Sequence, residues 1–479
     1  MTTHRWDVAI IGAGTAGMVA YRAATAHGAK TLLIEGGVYG TTCARIGCMP
    51  SKLLIAAANA AHGAREADGF GVQIPEVRID GPAVMRRVRA ERDRFVGFVV
   101  ETVQSWPQAH RLHAYARFEA PGALALSNGD RVEAARVVIA TGSTSQLSGP
   151  LGALPRERLD TNETIFEWPD LPESVAVFGT GIIGLELGQA LHRLGVRVHV
   201  FGRSRRLAGI TDPEVAAQAR TIFGRAFPLV LESELLDITD EGEAFSVRWR
   251  DDEGEHSERF ARVLAATGRA PNVDGLNLQA AGVPLNDEGL PQFDPLTGQC
   301  GDSPVFIAGD VNNEKPLLHE AADEGRIAGD NAGRWPDVRR GYRRTPLSVV
   351  FSEPQVVALG QSFRALCESG TDFAVGQVDF AGQGRARVIR ENAGLLRVYG
   401  AHDSGRLLGA EIIGPRAEHL GHLLAWSVQA GLTVDDALAM PFYHPVVEEG
   451  LRTALRDLAH ALKKGPAPVP GCDIDGPGG

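Results

Sequence analysis

Two distant copies of one short pattern constrain what this chain can fold into. A compact apolar run from Asp7 to Ile11 leads into G-A-G-T-A-G, with glycines at 12, 14 and 17 (Gly12, Gly14, Gly17), then a helix-like stretch to Ala26, then K-T-L-L-I-E ending at Glu35. The pattern returns as Ser174 to Phe178, G-T-G-I-I-G at Gly179, Gly181 and Gly184, E-L-G-Q-A-L-H-R-L-G, and Val196 to Phe201. Each copy reads as strand, tight turn, helix and parallel strand. The glycines let a backbone approach a pyrophosphate, whose charge a helix N-terminus favours.

Further strands with glycine turns are predicted at Val137 to Gly142 (VVIATG), Val263 to Asn272 (VLAATGRAPN) and Pro304 to Asp310 (PVFIAGD). From about Thr345 the pattern changes to mixed strands, LLRVYGA and GRLLGAEIIG, followed by helices from Ala417 to Leu432 and from Val447 to Leu462. A chain of 479 residues accommodates this as several domains. The expected class is α/β, with two Rossmann-like dinucleotide domains and a C-terminal α+β domain.

Asp plus Glu total 59 against 48 Lys plus Arg, a net charge of -11, which argues against nucleic acid or an anionic membrane as the main partner. No uninterrupted apolar run reaches the roughly 18 residues of a membrane span. The start of the chain lacks a signal-peptide cleavage pattern. The odd set Cys43, Cys48, Cys300, Cys367 and Cys472 does not look like a secreted disulfide scaffold. The reading is a cytoplasmic protein.

The two glycine turns lead into strands with different ends. Glu35 ends the strand after the first, where a carboxylate accepts hydrogen bonds from an adenosine ribose 2'-hydroxyl. That turn fits FAD or NAD. After the second turn the matching position holds Gly202, with Arg203, Arg205 and Arg206 just beyond it. A guanidinium binds a 2'-phosphate that a carboxylate would repel, so this turn favours NADPH over NADH. A solvated basic turn is the plain alternative.

Cys43 and Cys48 are separated by four residues, just beyond Glu35, and are followed by M-P-S-Lys52. That spacing permits a disulfide, and a helix N-terminus would favour a thiolate. Structural zinc is the rival reading, but it needs further ligands and no second close thiol pair exists.

Taken together, GAGTAG, GTTCARIGCMPSK, GTGIIGLELG, ATGRAPN, FIAGD and HPVVEE, in this order, resemble the class I pyridine nucleotide-disulfide oxidoreductases, a family that includes dihydrolipoyl dehydrogenase, glutathione reductase and mercuric reductase. The resemblance covers nearly the whole chain. It implies an FAD domain over residues 1–148, an NAD(P) domain over 149–272, a central part over 273–344 completing the FAD domain, a dimerisation domain over 345–464 and a flexible tail over 465–479. It also implies electron flow from NADPH or NADH through FAD to a Cys43–Cys48 disulfide and on to a disulfide substrate, or the reverse. By match to the motifs, Cys43 is the interchange thiol and Cys48 the thiol against the flavin. Lys52 and Glu186 are the pair near its reactive nitrogen, though a helix-surface lysine and a core-edge glutamate stay open as plain readings. Thr42, Thr141, Gly142, Gly268 and Asp310 join the cofactor set, with Asp310 at the ribityl chain. His444 and Glu449 match an acid/base dyad that reaches the disulfide of the other subunit, which implies a homodimer with composite sites.

Departures bear on the substrate. Thr41 stands where the family writes glycine, and Arg45 where it writes asparagine; a charge there would lower a thiol pKa or select an acidic substrate, with a surface arginine as the plain reading. PSK and ELG resemble dihydrolipoyl dehydrogenase or mercuric reductase, whereas FGRS resembles the NADPH-using members. Expected partners are a small-molecule or lipoyl-domain disulfide or dithiol. Reduction of another disulfide or of mercuric ion is the alternative, although the family's mercuric reductases use a C-terminal cysteine pair and only Cys472 is present. A transhydrogenase reading is opposed by Cys43. A redox-sensing flavoprotein without catalysis is opposed by retention of Cys43, Cys48, His444 and Glu449 together. Cys300 and Cys367 carry no motif.

Overall fold

The computed structural model describes residues 3–463; the expected tail 465–479 and Cys472 lie outside the described residues. Three sheet systems succeed one another along the chain. The first strand, Thr3–Ile11, pairs in parallel with Thr31–Glu35 on one side and Arg131–Ile139 on the other. Arg111–His113 extends the sheet in parallel beyond Thr31–Glu35, and Val305–Ile307 pairs in parallel with Arg131–Ile139. Val8, Ile10, Leu33, Val137 and Val138 are fully buried, as expected where helices and loops cover both faces of a parallel sheet. Residues after position 300 therefore return to the first sheet.

The second unit is a parallel sheet ordered Leu229–Val230, Arg197–Phe201, Ser174–Phe178 and Arg262–Ala265. An antiparallel meander of Glu234–Asp240, Phe245–Asp251 and Gly254–Phe260 is inserted before its last strand. A short ribbon of Ser143–Ser145 and Arg269–Pro271 ties the exits of the two units together. The third unit is a five-stranded antiparallel sheet carrying helices Ala417–Gln429 and Glu449–Ala461. The fold is the α/β plus α+β arrangement that the sequence predicts. Both helices are shorter than expected, and the second starts at Glu449, so His444 lies on the segment leading into it. Among the described residues, no helix is long and apolar enough to cross a membrane.

Small residues bring two helices unusually close behind the first glycine turn. Thr15–Ala26 packs against Leu318–Arg334. A Cβ added at Gly325 would stand 2.3 Å from the Ala16 carbonyl oxygen, and one at Gly329 would stand 2.4 Å from that of Ala20. Gly309 meets Ala16 in the same way, its Cβ position lying 2.9 Å from the alanine's. The contact thereby sets Asp310 beside the start of the first glycine-turn helix. Gly329→Ala forces these backbones apart. It is expected to lower stability by about 1–3 kcal/mol, the usual cost of overpacking, as measured by denaturant unfolding.

Candidate active site

The two glycine turns repeat one geometry. Gly12 and Gly179 adopt φ +107° and +120°, which a side chain resists, and a Cβ there would stand 2.3 Å and 2.1 Å from the carbonyl oxygens of Ala140 and Ala266. Gly17 and Gly184 press onto the turn itself, each with its Cβ position 1.9 Å from the carbonyl oxygen of Gly12 or Gly179. Gly14 and Gly181 face open space, with nothing within 4 Å. They form the floor of a cradle at the start of helices Thr15–Ala26 and Ile182–Arg193. This is the division of roles that a pyrophosphate requires.

Glu35 is held by two backbone donors: Ala13 N–H to Oε2 at 2.7 Å and Gly37 N–H to Oε1 at 2.8 Å. Each carboxylate oxygen keeps accepting capacity for a ribose hydroxyl beside the first cradle. At the second cradle, Thr180 Oγ1 donates to the Arg206 carbonyl at 2.7 Å, binding the arginine turn to the glycine loop. Arg203, Arg205 and Arg206 are exposed. Arg205 pairs with Glu232 at 2.5 Å. The residues present thus fit a flavin dinucleotide at the first cradle and a nicotinamide dinucleotide at the second.

Cys43 belongs to the short helix Thr42–Ile46, and Cys48 opens the helix Cys48–Arg65. Both are free thiols, the dithiol form of the expected redox pair, and their side chains hydrogen-bond to each other. The Cys43 thiol, opposed by burial but aided by the Lys52 ammonium and by the backbone at the helix start, holds the Cys48 thiol down to about 7. The same hydrogen bond, together with burial, pushes Cys43 far up. The two thiols are therefore held unlike: their mutual hydrogen bond favours the thiolate at Cys48 and the thiol at Cys43. The cation acting on both is Lys52, whereas Arg45 lays its stem against Gly40.

Lys52 Nζ sits 2.9 and 2.8 Å from the two oxygens of Glu186, which is only 3 % exposed. Glu186 also accepts the Phe351 N–H at 2.9 Å, and the Phe351 ring lies 4.6 Å from the ammonium. Asp310 accepts a bond from Ser143 Oγ at 2.8 Å, and Arg269 Nε donates to that same hydroxyl at 2.8 Å. Thr141 and Asn272 bond reciprocally, Thr141 Oγ1 to the Asn272 carbonyl at 2.7 Å and Asn272 Nδ2 to the Thr141 carbonyl at 3.0 Å. These bonds cross between the turns that carry Gly142 and Gly268, both with positive φ. Thr42, next to Cys43, is exposed. Sequence reasoning missed Phe351, Ser143 and Arg269. The arginine stood inside ATGRAPN, but its partner lies in another segment of the chain.

His444 Nδ1 is 3.1 Å from both Glu449 oxygens. A carboxylate only accepts, so Nδ1 carries a proton and Nε2 is left as the free base. Glu449 is 9 % exposed on its side chain and His444 61 %. The imidazole is thus largely open to solvent while its carboxylate partner is buried. Leu423, Trp426, Met440 and Tyr443, in the same region, are exposed apolar residues.

Residues 6–325 match the family model described as pyridine nucleotide-disulphide oxidoreductase, and residues 347–455 match that family's dimerisation domain. A mercuric reductase of Streptomyces lividans is 31% identical over 474 residues, covering 96% of this chain and 97% of its own. A dihydrolipoyl dehydrogenase of Haloferax volcanii is 30% identical over 477 residues, covering 96% and 98%. Two solved structures share the fold. LpdA from Mycobacterium tuberculosis has a TM-score of 0.80 at 23% identity, covering 95% of this chain and 99% of its own. The flavoprotein disulfide reductase RclA from Escherichia coli, in its Cu(II) complex, has a TM-score of 0.79 at 21% identity, covering 97% and 100%.

The thiol asymmetry is open to measurement. Alkylation of the reduced protein by iodoacetamide is expected to follow a titration centred at about pH 7, with Cys48 labelled first. Cys43→Ala removes the main hydrogen-bond donor and is expected to move that midpoint up toward the ordinary thiol value of about 8.5.

Proposed function

The chain belongs to the pyridine nucleotide-disulphide oxidoreductase family, whose enzymes use FAD and NAD(P)H, and from that premise we propose that it moves electrons between NADPH and a lipoyl-type disulfide or dithiol. The observation that carries this reading is the pair of hydrogen-bonded thiols, Cys43 and Cys48, set at a helix start beside the Lys52–Glu186 pair. FAD would be held by Gly12, Gly14, Gly17, Glu35, Thr42, Lys52, Thr141, Gly142 and Asp310, and NADPH by Gly179, Gly181, Gly184, Arg203 and Gly268. When bound, FAD supplies the transfer of two electrons between the nicotinamide and the sulfur pair. The corresponding division of the chain is residues 1–148 with 273–344 for FAD, 149–272 for NADPH, and 345–464 for dimer formation. A sulfur pair that must return to its dithiol form in each turnover suits a reducing compartment such as the cytoplasm.

The residues of the chain divide the sulfur chemistry between them. Cys43 holds its proton tightly, so it needs a base at the moment of attack, and His444 Nε2 of the partner subunit supplies one. Cys43 Sγ attacks one sulfur of the substrate disulfide, breaks that S–S bond and forms a mixed disulfide. The leaving thiolate takes the proton held by the imidazolium. The Cys48 thiolate then attacks Cys43 Sγ and expels the second substrate thiolate. The Cys43–Cys48 disulfide that results accounts for the two electrons gained by the substrate. Glu449 keeps the imidazole in the required tautomer. The exposed apolar face around His444 and the match of residues 347–455 to a dimerisation domain support a second subunit there.

A second reading, reduction of mercuric ion, is favoured by the two adjacent soft sulfur ligands, Cys43 and Cys48. Turnover against lipoamide and against Hg(II) separates the two. Rapid lipoamide turnover with no Hg(II)-dependent NADPH oxidation is the expected result. Cys43→Ser is expected to abolish disulfide turnover while NADPH oxidation by an artificial dye persists. His444→Gln should lower turnover about 10²- to 10⁴-fold. Arg203→Ala should raise KM for NADPH about ten- to a hundredfold, as loss of a charge-assisted bond implies, and leave KM for NADH little changed.

A further inference from the structure

The arginine turn is contacted by a neighbouring segment that carries an acid. Gly202 N–H donates to the Val230 carbonyl at 2.8 Å, and Ser233 N–H donates to the Gly202 carbonyl at 3.0 Å. Between these two anchors Glu232 takes φ +54°, a left-handed conformation that a non-glycine residue rarely adopts, and its Oε2 receives Arg205 Nε at 2.5 Å. The acid that dinucleotide turns place at the end of their second strand is absent at Gly202, where the neighbouring side chains also leave little room. A Cβ there would stand 2.7 Å from Thr180 Cγ2 and 3.0 Å from Leu231 Cδ2. A carboxylate reaches this turn from the loop after the neighbouring strand Leu229–Val230 instead, and it binds one of the three arginines.

We infer that Glu232 is a specificity-determining residue: by holding Arg205 it limits the advantage of a 2'-phosphorylated nucleotide over its unphosphorylated counterpart. Arg203 and Arg206, which have no ion-pair partner among the described residues, are left as the ready phosphate ligands. The inference rests on the reading of this turn as the 2'-phosphate site. A 2'-phosphate carries the same sign of charge as the carboxylate and competes with it for the guanidinium. A nucleotide with a free 2'-hydroxyl leaves the Arg205–Glu232 pair intact. Both partners are exposed, at 68% and 54% of their side chains, so the effect has the modest size of a surface ion pair.

The test is calorimetric titration of the FAD-loaded dimer with adenosine 2',5'-bisphosphate and with 5'-AMP, which reads binding without turnover. Glu232→Gln keeps the length of the side chain and removes its charge. Glu232→Asn, better suited to the left-handed backbone, guards against misfolding of the turn. Both are expected to tighten the bisphosphate about three- to fivefold, the size of an exposed ion pair, and to leave AMP unchanged. The gain is expected to vanish when Arg205→Ala is present as well. An unchanged affinity ratio in both variants, with wild type still preferring the bisphosphate, overturns the role of Glu232 and leaves the NADPH reading standing. Equal binding of the two nucleotides in wild type and in both variants overturns both readings. A gain that persists in full on the Arg205→Ala background also overturns the inference, because the acid then does not act through Arg205.

Discussion

The contact on which the arrangement depends is the ion pair between Lys52 and Glu186. Lys52 stands one turn into the helix that Cys48 opens, and Glu186 stands one turn into the helix that the second glycine cradle opens. The pair therefore couples the thiols to the nicotinamide-side domain. Glu186 is almost wholly buried and spends a lone pair on the Phe351 N–H, which draws in the third domain as well. Burying two charges is costly, and the attraction between them roughly offsets that cost, so the pair contributes more to register than to stability. Loss of either member would leave a charge stranded where three domains meet.

The same helices are joined again further along. Arg193 reaches Asn59 Oδ1 at 2.8 Å and pairs with Glu353, while Gln189 exchanges two backbone bonds of 2.8 Å with that same Glu353. On the far side of the nicotinamide-side domain, Asp212 is fully buried. It caps helix Pro213–Ala226 and accepts from Arg397 at 2.7 Å and Tyr399 at 3.0 Å. Glu411, also fully buried, accepts the N–H groups of Thr211, Asp212 and Phe363. Each of these carboxylates is satisfied by partners from more than one segment, the condition under which a buried polar network specifies a single arrangement. Such fixity suits a relay in which two cradles and a sulfur pair must keep their spacing.

What the sequence made legible was local. A glycine turn, the acid at the end of its second strand, a pair of cysteines before a helix and a histidine five residues before its glutamate are all written within short windows, and the structure places each of them together. The three-stranded insert of the second unit was harder to read, because an antiparallel meander has only alternation to show. The inserted strand Gly254–Phe260, G-E-H-S-E-R-F, has a single buried residue. Long-range partners were not legible at all. Nothing near Glu186 announces Phe351, and nothing near Arg205 announces Glu232, since both contacts arise only when separate segments are brought side by side. Lys52, four residues beyond Cys48, acts on both thiols, an influence that the cysteine pair alone does not announce.

Thr41 shows how a local departure is accommodated. It stands where the family writes glycine, and it keeps the backbone that a glycine would adopt, with φ +53°. For a β-branched residue this positive-φ conformation, with ψ at 150°, is strained by roughly 1–3 kcal/mol. Part of that cost is returned, because Thr41 Oγ1 accepts the Ala44 N–H at 3.2 Å and so caps the helix that bears Cys43. A glycine would relieve the strain but leave this N–H to water and the cysteine turn looser. The threonine thus exchanges some stability for a more firmly held turn before Cys43.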